Sequence, residues 1–80
     1  MRTVKAVVAE DEPILRETLV RTLAALWPEL AIVAEVADGV AAIRAMDEHA
    51  PDLVFLDIQM PGMTGLDVAQ QLNGRCHVAF

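Results

Sequence analysis

The sequence predicts an α/β protein built on a parallel sheet with helices on both faces. Three observations lead there. Short β-branched runs alternate with segments of helical periodicity, those runs are almost unbroken in apolarity, and 55% of the 80 residues are apolar with glycine left out of the count. Continuous apolar strands are what a sheet covered on both faces uses, and a strand–helix–strand order calls for parallel pairing through right-handed crossovers. Average domains hold about 45–50% apolar residues even with glycine included, and short chains bury only about 60% of the surface that their unfolded form exposes. The surplus therefore predicts either full cover on both faces or a core whose cover is incomplete. Length excludes two ordinary domains.

Residues 4–9 (VKAVVA) form the first strand, which stops at Glu10-Asp11-Glu12. Pro13 follows, suited to a first helical turn because its missing N–H costs nothing there. Leu15, Leu19, Leu23 and Leu26 repeat at helical spacing, with Arg16, Glu17 and Arg21 off that stripe, so the stripe is read as core. Trp27-Pro28 ends the helix, since the residue before a proline is pushed out of the α region. Residues 31–36 (AIVAEV) are a second strand; Asp38-Gly39 turns and caps a helix through Ile43, Met46 and Ala50, closed by Pro51-Asp52. Residues 53–57 (LVFLD) are a third strand running straight into a carboxylate. Residues 58–64 form a Met/Pro/Gly loop, 65–72 a short third helix, Asn73-Gly74 a turn, and 76–80 (CHVAF) the start of a fourth strand.

Twelve acidic against six basic residues give a net charge of −6, and the bases are scattered, so this chain itself is not expected to grip nucleic acid. The chain contains neither Ser nor Tyr, which removes those nucleophiles. The lone Cys76 cannot close an internal disulfide, and it reads as a small packed residue. His49 and His77 lack partners at ligand spacing and read as structural, as does Trp27. Only residues 6–9 are apolar between the basic start and Glu10, shorter than the roughly 7–15 residues of a signal peptide. With no run long enough to span a bilayer, the expectation is a cytoplasmic protein without membrane association.

Ligands of open α/β sheets bind beyond the carboxyl ends of the strands. Two strands end there in acids, the first in Glu10-Asp11 and the third in Asp57. If these strands are neighbours, their axes lie about 4.8 Å apart, and three carboxylates crowd one rim. Like charges at that range raise one another's pKa unless a cation joins them. Mg²⁺, a hard ion that keeps several waters, suits so few oxygen ligands. It would also offset the charge of an incoming phosphate, so that a carboxylate at this rim becomes a candidate phosphoryl acceptor. Read singly, each piece is ordinary: acids before Pro13 favour a helix N-terminus, Asp57 is a strand-end residue, and Met60-Pro61-Gly62 is loop chemistry.

Taken together, AEDEP at residues 9–13 and PDLVFLDIQMPGMTGLD at residues 51–67 resemble the receiver domain of bacterial two-component response regulators. ADG at residues 37–39 also sits where that family usually has it, and the resemblance covers all 80 residues. It implies a flavodoxin-like doubly wound sheet of order 2-1-3-4-5, of which this chain holds the first four strands and three helices. It implies a phosphoacceptor at Asp57, charged by a sensor histidine kinase, with Mg²⁺ held by Asp11, by Glu10 through water, by Asp57 and by the backbone carbonyl of Gln59. Met60, Pro61, Gly62 and Gly65 would shape the phosphate loop. The EDEP opening and LVFLDIQMPG resemble regulators with a LytTR-type DNA-binding output.

The family continues to a Thr or Ser after the fourth strand and a Lys after the fifth. The expectation is therefore a receiver truncated within its fourth strand, with residues 1–80 its N-terminal part and the output domain absent. An open edge at Cys76 to Phe80 predicts a homodimer, or an interaction fragment that does not switch. A phosphatase of the haloacid dehalogenase type would need a general acid where Gln59 stands, and an amide cannot donate that proton.

Overall fold

Strand and helix alternate strictly along residues 3–57, 60, 64–72 and 74–80, the residues described by a computed structural model. The elements are β1 (Lys5–Ala9), α1 (Pro13–Leu26), β2 (Ala31–Val36), α2 (Gly39–His49), β3 (Leu53–Leu56), α3 (Gly65–Gln71) and β4 (His77–Ala79). Every strand pairing is parallel, and the sheet order is β2-β1-β3-β4. The doubly wound class read from the sequence is thus the observed one, with β1 and β3 adjacent.

Local chemistry sets the helix boundaries. Glu12 caps α1 through a hydrogen bond accepted from the Ile14 N–H, with Pro13 in the first turn. Asp38 accepts from the Ala41 N–H at 2.8 Å to start α2. Thr64 and Asp67 form a reciprocal capping box on α3, each side chain accepting from the other's backbone N–H at 3.2 Å. Helix α2 stops at Ala50, which takes the left-handed conformation (φ 44°) that usually belongs to glycine, and Pro51 blocks continuation. At the amino end of the sheet Asp52 ties three strands together. Its carboxylate accepts from the Lys5 N–H at 2.9 Å, its own N–H donates to the Lys5 carbonyl, and its carbonyl accepts from the His77 N–H.

Central β1 is sealed: Ala6, Val7, Val8 and Ala9 are at most 1% exposed. Val7, Ala9, Val54 and Leu56 join Ala42, Ala45 and Met46 of α2, Val68 of α3, and Met60 and Leu72 in one cluster. Cys76 packs against that cluster and stays partly exposed.

The other face is covered differently from the sequence reading. No residue of α1 is buried; Leu15 is 56% and Leu26 80% exposed. Leu19 and Leu23 are half-buried, so the leucine stripe is partly covered but adds no fully buried residue to the core. Helix α1 lies on β1, and its Leu15 and Leu19 line a cavity together with Phe55 and Ala79. The periodicity correctly gives an amphipathic helix, but a partner for the apolar side must come from elsewhere in space.

One substitution at two sites tests this asymmetry. Leu72→Ala, in the cluster, is expected to cost about 2–5 kcal/mol, while Leu26→Ala is expected to change stability by no more than about 0.5 kcal/mol. Urea unfolding of both variants measures the difference, and equal losses would contradict the placement of Leu72 inside and Leu26 outside the core.

Candidate functional site

Parallel register brings the acids together. Ala9 lies opposite Leu56, so the next residues, Glu10 and Asp57, leave the sheet side by side. Three backbone contacts fix the rim: the Asp57 N–H donates to the Ala9 carbonyl at 3.0 Å, the Glu10 N–H donates to the Val36 carbonyl of β2 at 3.0 Å, and Arg16 Nη1 donates to the Glu10 carbonyl at 2.8 Å. A register shift between Ala6 and Val7 in the β1–β2 ladder keeps Val36 level with the end of β1.

Glu10, Asp11 and Asp57 each place a carboxylate oxygen within 4.8 Å of the other two. Glu10 and Asp57 are half-buried and Asp11 is exposed. Glu10 Oε2 is buried without a hydrogen-bond partner. Burial first, then the hydrogen-bonded contact with Asp57 and the charges of Asp57 and Asp11, push the Glu10 carboxyl up to about 7. An orphaned buried oxygen and mutual repulsion of this kind are relieved by a divalent cation with oxygen ligands. The donor set fits Mg²⁺.

Beside the carboxylates opens a cavity of about 310 Å³, whose apolar lining includes Leu15 and Leu19 of α1, Phe55, Ala79 and Phe80. Of the residues read as phosphate-loop positions, Met60 is buried in the core cluster and Gly65 is buried at the first position of α3. Gln59, Pro61 and Gly62 lie outside the described residues. Arg16 escaped the sequence reading, because a basic residue off the leucine stripe looks like any solvated helix position.

The chain matches the family model described as the response regulator receiver domain over residues 6–79. An uncharacterized response regulatory protein of Vibrio cholerae is 52% identical over 71 residues, which span 89% of this chain and 27% of that protein. The receiver domain of the response regulator NarL of Mycobacterium tuberculosis superposes with a TM-score of 0.88 at 37% identity, covering 98% of this chain and 64% of that one. A DNA-binding response regulator of the LuxR family from Staphylococcus aureus gives a TM-score of 0.80 at 34% identity, covering 94% and 62%. The chain thus spans under a third of the Vibrio relative's length. The Staphylococcus aureus protein is a LuxR-family regulator, and the expected LytTR-type output gains no support. Among the described residues, no helix is long and apolar enough to cross a membrane.

The raised Glu10 carboxyl has a consequence for stability. Between pH 4.5, the ordinary value, and about 7, the folded chain holds a proton that the unfolded chain has released. Metal-free stability therefore falls as pH rises through that window. The urea midpoint without divalent ions is expected to drop between pH 5 and pH 8. Asp57→Asn, which removes two of the causes, should shrink that drop. A midpoint independent of pH would contradict the coupling.

Proposed function

The chain belongs to the response regulator receiver domain family, and on that premise we propose that it accepts a phosphoryl group on Asp57 from a sensor histidine kinase. The convergence of Glu10, Asp11 and Asp57 at the carboxyl end of β1 and β3 carries this reading. In the transfer, an Asp57 carboxylate oxygen attacks phosphorus, the P–N bond to the kinase imidazole breaks, and its electron pair returns to the ring nitrogen. Asp57 is left as an acyl phosphate. Asp11 and Asp57, with Glu10 behind them, would hold Mg²⁺, which when bound offsets carboxylate and phosphoryl charge. The backbone carbonyl of Gln59 would complete the cation's ligands, and Pro61 and Gly62 would shape the loop that the phosphoryl group approaches. The role is regulatory: one phosphoryl group is stored rather than a substrate turned over. The similarity to a DNA-binding LuxR-family regulator supports a DNA-binding domain as the output.

With acetyl phosphate and Mg²⁺, mass spectrometry is expected to show one added phosphoryl group on the wild-type chain and none on Asp57→Asn. Asp11→Asn is expected to lose about tenfold or more in Mg²⁺ affinity. Equal labelling of wild type and Asp57→Asn would remove the acceptor assignment.

A further inference from the structure

Arg16 is set apart from the other charged residues of α1. It is half-buried, whereas Glu17 and Arg21 are exposed and pair with each other one turn along. Its backbone N–H makes a first-turn hydrogen bond of α1, to the Glu12 carbonyl at 2.9 Å. Its guanidinium folds back over that turn, and Nη1 donates to the Glu10 carbonyl at 2.8 Å in a partly buried bond. Glu10 is the residue after β1 ends, so its carbonyl has left the sheet ladder, while its N–H is still held by the Val36 carbonyl. Arg16 therefore closes the second of the two backbone bonds that fix this residue.

We propose that Arg16 is a positioning residue for the divalent cation. It buckles the start of α1 onto the end of β1, so that the Glu10 and Asp11 carboxylates are presented together toward Asp57. This rests on the reading of Glu10 and Asp11 as cation ligands. A charge-assisted donor on a carbonyl is roughly twice as strong as a neutral one, and partners that orient metal ligands typically govern affinity by 10–100-fold.

Two physical effects of Arg16 oppose each other, which makes its role separable. As a positive charge near the acids, it would repel Mg²⁺, and removing it would tighten binding. As a backbone lock, it organises the ligands, and removing it would weaken binding. Titration calorimetry with MgCl₂ on the wild-type chain, Arg16→Met, Arg16→Lys and Asp11→Asn decides between them. The expected result is about tenfold weaker binding in Arg16→Met, the ligand-orienting range. Arg16→Lys keeps the charge but not the planar fork, and is expected between wild type and Arg16→Met. Should Arg16→Met unfold, Arg16→Lys alone still reads the lock, because charge is constant and only the hydrogen bond changes. Wild-type affinity in Arg16→Lys, or equal or tighter binding in Arg16→Met, would overturn the proposal while Asp11→Asn still weakens binding. Absence of Mg²⁺ binding by the wild-type chain would overturn the ligand reading, and the proposal with it.

Discussion

Parallel pairing of β1 with β3, with Ala9 opposite Leu56, decides both where the core lies and which side chains meet at the rim. Because side chains alternate along a strand, a one-residue slip would exchange the buried and opposite faces of one strand. Val54 and Leu56 would then leave the cluster they share with Val7, Ala9 and the helices on that side. Asp57 would also lose its place beside Glu10. One register thus serves packing and chemistry together, and the apolar side enforces what the carboxylates alone would oppose. Three acids within 4.8 Å of one another repel; the cluster beneath holds them there.

That opposition is visible in Glu10. Its buried Oε2 has no partner, and its carboxyl sits far above the ordinary carboxylate range. Sites of chemistry are often where a fold tolerates a local penalty. Here the penalty lies in ionising Glu10, and it is the state that a cation would stabilise.

Element order was legible in the sequence because apolar runs, prolines and cap residues all agreed, while the neighbours in the sheet came from the resemblance to the receiver family. Pro13, Asp38 and Pro51 each stand at the boundary they announce. The carboxylates were legible as a group, since two strands ended in acids. The burial of α1 was not, because the spacing of Leu15, Leu19, Leu23 and Leu26 records which side of the helix is apolar and not whether a partner reaches it. The left-handed Ala50 had no glycine to mark it. Arg16 was invisible for another reason: its contact depends on a side chain returning to a backbone carbonyl six residues earlier, and no spacing rule encodes that return.

The unequal cover of the two faces bears on what reaches the site. Helix α1 contributes nothing to the buried cluster, yet it lies on β1, whose Ala6 and Val8 are fully buried on the face away from that cluster. Its first turn also carries the Arg16 hydrogen bond to the Glu10 carbonyl. The acids after β1 are thus framed by the most protected strand of the sheet and by a helix with no buried residue of its own. A change in how α1 is seated would reach the rim through that bond, while the register of β1 and β3 stays as the apolar cluster sets it.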